Sequence, residues 1–524
     1  MMRLDKLFEN LDVVLPELDG EYPNVRGVSH DSRRVHAGDL YVAVPGSRFD
    51  GRDFVAEAER RGAVAVLGPR PDGGRGDLAF TVPWVTCEDP RSLMGAVGSR
   101  IYGHAHRRLI MVGVTGTNGK STIVTLLGSV LDAADEPAAV LGTLGYRFGR
   151  EEWAGAGRTT PEATDLHRML AEMEDRGARA VAMEVSSHAL ALGRVDGMEF
   201  DAAVFTHLTR DHLDFHGDME SYFAAKSELF SRLRAGGKAV VCVGDEWGRR
   251  LAASLAERGA PPITVGGTDS DVRAVDVVLD LDGIRARVAT PRGELDIVSS
   301  LIGRFNLENL LACVAVGEAL DLPHEDVARG IEAVKSVDGR LEAVPSSAPF
   351  PLLVDYAHTP GALESALGAV RDLSDRRLAV VFGCGGERDA GKRPLMGAVA
   401  GKWADLAVLT SDNPRRENPQ SILDDVEAGL RSAESRAEIL IDVDRARAIR
   451  RAVAHAAKGE AAGQPWVVVV AGKGHETTQD LGERVISFDD REELEAAATE
   501  LVGDPATDRA ERVGDDLVGE DDHG

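Results

Sequence analysis

The sequence predicts an α/β chain of three segments built on largely parallel sheets, and three observations predict it. Short apolar runs alternate with helical patterns along most of the chain, the arrangement that buries a parallel sheet between layers of helices. The length of 524 residues suits about three domains. One apolar run, 109–114, leads into Thr115-Gly-Thr-Asn-Gly-Lys-Ser121 and then a helical pattern from residue 123. That is the strand–loop–helix order of a phosphate-binding loop.

Residues 1–107 carry apolar runs at 39–44, 63–67 and 84–86 and a helical pattern at 54–61. The central segment, 108–338, opens on the phosphate loop. A glycine-rich turn at a helix start gathers free backbone N–H groups and a positive helix end at one point, which suits nucleotide phosphates. Lys120 is placed to reach the outer phosphates and Ser121 to hold Mg²⁺ by its hydroxyl. The strict motif has glycine where Val114 stands. Further runs follow at 180–185, 202–205 and 239–243, each with a polar loop and helix signals after it. The third segment, 339–503, repeats the scheme at 351–354, 378–382, 406–409, 439–441 and 466–470. The tail, 504–524, holds eight acidic and two basic residues, and such a composition predicts disorder.

Charged residues (28%) and hydrophobic residues (43%) stand at globular levels, so a sizeable core is expected. The net charge of −27 argues against a nucleic acid or an anionic membrane as partner, since either calls for a basic surface. Nine lysines beside 51 arginines fit a GC-rich genome, a salty cytoplasm, or both. The four cysteines are scattered without metal-ligand spacing and read as reduced thiols. The N-terminus lacks the apolar stretch of a signal peptide, and the strongest apolar run, 466–471, is far too short to span a bilayer. A soluble, cytoplasmic protein is expected.

Ligands of open α/β sheets gather at the carboxyl ends of the strands, so those residues come next. Glu184 lies at the end of one central run, and 206–217, with three histidines, follows another. Glu184, His212 and Ser121 are hard or borderline ligands that could hold Mg²⁺ against phosphate oxygens. His212 alone reads more often as a structural histidine, and the three histidines, two acids and one arginine packed into 206–217 reverse that reading. Lys226, in the helical run 219–233, reads as a solvated lysine or as part of the site. Asn306 could cap the helix it precedes or read an adenine edge. Asp355-Tyr-Ala-His358 ends the first strand of the third segment. The loop 383–394 ends the next, and its cations Arg388, Lys392 and Arg393 favour an anion. Ser411-Asp-Asn-Pro-Arg-Arg416 and Ala471-Gly-Lys-Gly-His-Glu476 end two more.

These motifs, with Asp31-Ser-Arg33, Glu184-Val-Ser-Ser-His188 and Arg210-Asp-His-Leu-Asp214 among them, occur in an order that resembles the Mur ligase family over residues 28–492. The resemblance implies the three-domain architecture of that family. A UDP-MurNAc-dipeptide-binding domain would span 1–107, a central P-loop ATPase domain 108–338, and a Rossmann-like, amino-acid-binding domain 339–503. It further implies an ATP-dependent ligase of peptidoglycan precursor synthesis, of the branch that adds meso-diaminopimelate to the D-Glu of UDP-MurNAc-L-Ala-D-Glu. ATP would phosphorylate the D-Glu side-chain carboxylate, and the incoming amine would attack the acyl phosphate.

By the same resemblance Lys120, Glu184, His212 and Lys226 are catalytic, with Lys226 carbamylated to N6-carboxylysine. Ser121, Glu184, His212 and Lys226 would serve two Mg²⁺ ions. ATP would lie on Gly116, Thr117, Asn118, Gly119, Lys120, Ser121, Thr122, Asn306, Arg340 and Asp355. The UDP-sugar dipeptide would meet His30, Ser32, Ser47, Arg48, Phe49, Thr159, Thr160, Ser187 and Arg194. The amino acid would meet Arg388, Asp412, Asn413, Pro414, Arg415, Gly472 and Glu476, with closure of the third domain excluding water. The enzyme is expected to act as a monomer on small-molecule substrates alone. A lysine-adding relative should differ chiefly at Arg415, a folylpolyglutamate-type ligase should lack Asp31-Ser-Arg33, and a non-catalytic nucleotide switch would not need the intact Lys120, Glu184, His212 and Lys226. The chain departs from the family pattern at His207 (usually Asn), Asp338 (usually Pro) and Glu387 (usually Asp).

Overall fold

The computed structural model describes residues 1–46, 49–70, 81–153, 157–433 and 436–502. Ser47, Arg48 and the acidic tail 504–524 lie outside the described residues. The chain divides into two units, Met1–Asp276 with Ala286–Ile297 and Glu308–Ala333, and Val277–Arg285 with Val298–Leu307 and the chain from Val334 onward.

Unit 1 holds two larger sheets beside the short antiparallel pairing of Met2–Arg3 with Asn24–Val25. The first is parallel throughout, with Gly27–Ser29, Asp39–Val42, Ala65–Gly68 and Trp84–Thr86 in sequence order. Helix Pro90–Ile101 follows, started by the Asp89 cap and a proline in its first turn. Glycine is required at Gly95 because a Cβ there would stand 2.2 Å from the Asp196 carbonyl oxygen. The second sheet has eight strands in the order Glu151–Trp153, Gly145–Phe148, Ala138–Gly142, Ala180–Glu184, Ile110–Thr115, Phe200–Phe205, Leu233–Cys242, Ile263–Val265. Six run parallel, and the two at the first edge pair antiparallel. Their apolar residues, Met111, Met183, Phe200 and Phe205 among them, are fully buried, as both-faced parallel sheets demand.

Strand Ile110–Thr115 thus lies centrally, with Glu184 level with Val114 on one side and Phe205 level with Thr115 on the other. Helix Lys120–Ala133 starts three residues before the apolar periodicity because Gly119, at φ 86°, turns the chain and Lys120-Ser-Thr122 make the first turn. The expected helix 219–233 is α-helical over Met219–Ser227 and tightens to 3₁₀ over Glu228–Arg232. A three-stranded sheet, Arg273–Asp280, Gly283–Thr290 and Gly293–Ser299, had no counterpart in the sequence reading. Strand Gly283–Thr290 alternates the buried Ile284, Ala286 and Val288 with the exposed Arg285 and Arg287, the pattern of a half-buried strand, so the signal was present in the sequence.

Unit 2 is built on six strands in the order Glu342–Ala343, Leu352–Asp355, Trp466–Ala471, Arg377–Phe382, Leu406–Leu409, Glu438–Ile441, all parallel except the first. Each lies within two residues of its expected run, and the edge strand Glu342–Ala343 is additional. Helices Pro360–Leu373, Pro419–Ser432 and Arg445–Ala461 are started by the side chains of Thr359, Asn418 and Asp444. Apolar clusters cover both faces of the sheet, so its strand ends, the Asp355, Ala471 and Leu409 loops, are where polar chemistry can gather.

Candidate functional site

In unit 1 the phosphate loop is locked from below. A Cβ on Gly116 (φ 144°) would stand 1.8 Å from Thr206 Oγ1, and one on Gly119 would stand 2.5 Å from Asn309 Oδ1. Thr206 Oγ1 donates to the Asn118 carbonyl at 2.7 Å, and Thr117 N donates to the His207 carbonyl at 2.8 Å. The His207 ring meets the Asn118 side chain at 3.3 Å, so this departure from the family pattern is a loop contact. Burial lowers its pKa to about 4, with Lys120 and Lys226 adding to the effect and Asp245 opposing it.

Lys120 Nζ folds back onto its own loop, donating to the carbonyls of Gly116 (3.0 Å) and Thr117 (2.8 Å). Lys226 is buried, not solvated. Its Nζ also donates to the Gly116 carbonyl, at 2.7 Å, and lies 4.6 Å from the centre of the Tyr222 ring. Burial first, and the neighbouring Lys120 second, push its amine well below the ordinary lysine range, while Asp211 opposes them. Ser121 and Thr122 are buried in the first helical turn.

Glu184 is buried at its strand end and accepts from Thr143 N (2.8 Å) and Thr143 Oγ1 (3.3 Å). Its closeness to the neighbouring strand explains Gly142, whose Cβ would meet Glu184 Oε1 at 2.3 Å. His212 sits at φ 53°, its Nε2 3.4 Å from Asp211 Oδ2 and its ring 4.8 Å from that of His188. Burial lowers its pKa, favouring the neutral, ligating imidazole. Among the described residues no three His, Cys, Asp or Glu side chains converge as a metal site. A buried carboxylate, a hydroxyl and a neutral imidazole form a hard-to-borderline donor set compatible with Mg²⁺, and the glycine contacts keep the loop bare of side chains where phosphates would approach.

Nearby, Glu162 gathers three guanidinium groups, with Arg91 at 3.1 Å, Arg194 at 3.1 Å and Arg158 in direct contact. These arginines hold its carboxyl below the usual range although burial pushes it up. Thr160 is fully buried, donates to the Glu184 carbonyl (2.9 Å) and accepts from Ser186 N (3.1 Å), so its hydroxyl braces the Glu184 strand end. Thr159 Oγ1 meets Thr143 Oγ1 at 3.1 Å, and Ser187 Oγ meets His216 Nε2 at 2.9 Å. His30 Nδ1 lies 2.9 Å from Thr164 Oγ1 and lines a cavity of about 270 Å³ with Arg34, Arg158, Glu162 and Arg168. Ser32 donates to Glu57 at 2.8 Å, while Phe49 is largely exposed.

In unit 2 Asp355 is buried and accepts from Leu341 N (2.7 Å) and Ala357 N (2.8 Å). Burial raises its pKa and Arg340 opposes the rise. The Arg340 guanidinium lies 5.0 Å from the centre of the Tyr356 ring. Asn306 is buried within its helix, donating to the Ile302 carbonyl at 2.8 Å. Asn413 Nδ2 donates to Glu476 Oε2 at 3.0 Å, and Arg415, at φ 52°, donates to the Gly386 carbonyl at 2.6 Å. Pro414 joins these two, and its carbonyl oxygen would lie 2.0 Å from a Cβ on Gly386. Asp412 Oδ1 is buried with no hydrogen-bond partner among the described residues, and burial pushes its carboxyl up. Gly472 takes φ 117°, and Arg388 is exposed on its loop.

The sequence reading missed Thr143, Tyr222, Glu162 and Lys473. Lys473 is fully buried, donating to Asn413 Oδ1 (3.2 Å) and Glu476 Oε2 (3.1 Å), and it lies 3.9 Å from Asp412 Oδ1. Its place between two glycines at a strand end was the available signal.

Family models match most of the chain: "Mur ligase family, catalytic domain" over 24–101, "Mur ligase middle domain" over 114–317, and "Mur ligase, glutamate ligase domain" over 339–474. A relative from Streptomyces coelicolor is 45% identical over 508 residues, 95% of this chain and 97% of its own. One from Geobacter metallireducens is 44% identical over 497 residues, 91% of this chain and 94% of its own. Both are named UDP-N-acetylmuramoyl-L-alanyl-D-glutamate–2,6-diaminopimelate ligase. A solved structure of a ligase of that name superposes with TM-score 0.67 at 29% identity, covering 96% of this chain and 100% of that one. The fold extends to a Mycobacterium tuberculosis folylpolyglutamate synthase complexed with ADP and AMPPCP, at TM-score 0.61 and 17% identity over 78% of this chain and 95% of that one.

Proposed function

The chain belongs to the Mur ligase family, and on that premise we propose that it joins meso-diaminopimelate to UDP-MurNAc-L-Ala-D-Glu at the expense of ATP. It is an ATP-dependent ligase of peptidoglycan precursor synthesis with the three-domain α/β architecture of its family. The residue roles, the metal ions and the modified lysine are our assignment, as are a monomeric state and a cytoplasmic location. The domains follow the boundaries given above.

A carboxylate is a poor electrophile and ATP is densely anionic, so catalysis is mostly neutralisation and alignment. Bare loop N–H groups and Lys120 receive the phosphates, which requires Lys120 to leave its own loop carbonyls. Ser121, Glu184, His212 and Lys226 are the residues that would hold Mg²⁺, which when bound supplies charge neutralisation at the phosphoryl oxygens. The observation that carries the ligase reading over a nucleotide switch is Lys226, buried, held toward its neutral form and pressed against the phosphate loop. A neutral amine is the form that takes up CO₂, and carbamylation would turn a cation into an anionic ligand.

Asp412 Oδ1, which has no hydrogen-bond partner among the described residues, and the Glu476 carboxylate favour an incoming ammonium. Arg415 would grip the distal carboxylate of diaminopimelate with two parallel hydrogen bonds and repel the distal ammonium of lysine. Phosphate release from ATP tests the whole reading. It should require both UDP-MurNAc-L-Ala-D-Glu and an amino acid, with meso-diaminopimelate preferred over L-lysine. Phosphate release without either substrate, or a preference for lysine, would overturn it.

A further inference from the structure

We propose that Arg445 is a positioning residue for the amino-acid pocket, tying together the two strand ends that carry Asp412-Asn-Pro-Arg415 and Gly472-Lys-Gly-His-Glu476. The proposal rests on those two loops receiving the incoming amino acid. Arg445 opens helix Arg445–Ala461 and is fully buried, as is its partner Asp490, and the two make a bidentate pair with both contacts at 2.7 Å. The guanidinium has donors beyond those two contacts. Its Nη1 donates to the Ser411 carbonyl at 3.3 Å, and its Nη2 donates to the Ala471 carbonyl at 3.0 Å.

Ser411 immediately precedes Asp412, and Ala471 immediately precedes Gly472. Their strands, Leu406–Leu409 and Trp466–Ala471, are not neighbours in the sheet, because Arg377–Phe382 runs between them. No ladder hydrogen bond therefore fixes one strand end against the other. Arg445 spans that gap from beneath, and Gln479 reinforces one side by donating to the Asp412 carbonyl at 2.7 Å. Above the tie, Asn413 bonds across the two loops, donating to Glu476 at 3.0 Å and accepting from Lys473 at 3.2 Å, while Lys473 donates to Glu476 within its own loop at 3.1 Å. The guanidinium also faces the buried Asp412 carboxyl and, with Lys473, opposes the upward push of burial on it. Core stability alone gives little reason for such a pair, since well-packed apolar residues replace buried ion pairs at little or no cost. Loop register gives one, because reacting groups tolerate little misplacement.

The test replaces the pair with apolar residues, Arg445→Met with Asp490→Leu, and separately makes Arg445→Lys, which keeps the charge against Asp490 but not the planar fork. KM is measured for each of the three substrates in turn, with melting temperature alongside. The double variant should remain folded and raise KM for the amino acid about tenfold or more, leaving KM for ATP and for the UDP-dipeptide within about twofold. Arg445→Lys should fall between it and the wild type, and it decides alone if the double variant does not fold. An unchanged KM for the amino acid in a folded variant, or an equal rise for all three substrates, would overturn the proposal. The amino acid used is the one the wild type prefers, so a preference other than diaminopimelate would refute the specificity reading without touching this one.

Discussion

Lys120 and Lys226 donate to one and the same acceptor, the carbonyl oxygen of Gly116, at 3.0 and 2.7 Å. Two ammonium groups sharing an acceptor in a buried place repel each other, and the more buried one yields its proton more readily. That relationship joins the phosphate-binding lysine to the lysine assigned as carbamylated, and the first prediction follows from it.

Lys226→Ala should lower kcat by roughly two orders of magnitude or more, the scale of losing a group that organises transition-state charge. Short carboxylic acids at millimolar-scale concentration should restore part of it by replacing the missing anion. In the wild type, ¹³C-labelled bicarbonate should give a carbamate resonance that the variant lacks. Full activity in Lys226→Ala would refute the assignment.

Arg415→Ala should depress kcat/KM for meso-diaminopimelate about 30- to 1000-fold, which corresponds to roughly 2–4 kcal/mol for a charged bidentate contact. KM for the UDP-dipeptide should barely change. One arm of the Arg415 guanidinium donates to the Gly386 carbonyl at 2.6 Å, which ties the side chain to the neighbouring loop. A variant with wild-type selectivity over lysine would assign the distal carboxylate elsewhere.

Gly116→Ala should abolish nucleotide binding and lower the melting temperature. The backbone there is left-handed, which costs a non-glycine residue about 1–3 kcal/mol, and the new methyl would collide with Thr206 Oγ1. Calorimetric titration with an ATP analogue and a melting curve report the two effects separately, and unchanged binding would show that the loop relaxes.

Acid should destabilise unit 1 through His106 and His167. Burial lowers their pKa to about 3 and about 4, and both ring nitrogens of His106 lack hydrogen-bond partners among the described residues. The unfolded chain binds these protons near pH 6.5 and the folded chain does not. Stability is therefore fully present above about pH 6.5 and is lost as pH falls toward about 4, by about 2 kcal/mol per histidine at pH 5. Urea unfolding of His106→Leu at pH 7 and pH 5 should show a smaller loss than the wild type, and an equal loss would remove His106 from the account.

The sequence by itself determined the parallel sheets, the phosphate loop and the strand ends where chemistry collects. Apolar runs at 180–185, 406–409 and 466–470 are continuous enough to be buried on both faces, and Thr115-Gly-Thr-Asn-Gly-Lys-Ser121 carries its geometry in local residues. Both signals act over a few neighbours in the chain, so they survive without the fold. What only the tertiary structure decided depends on groups far apart in sequence. Lys226 could be solvated or buried until Gly116, 110 residues away, accepted its proton donor. Thr160 proved to brace the Glu184 strand end, a contact between residues 24 apart in the chain. Arg445 and Asp490 lie 45 residues apart with no local signal of pairing, because a buried charge is stabilised only by the partner that the fold brings to it.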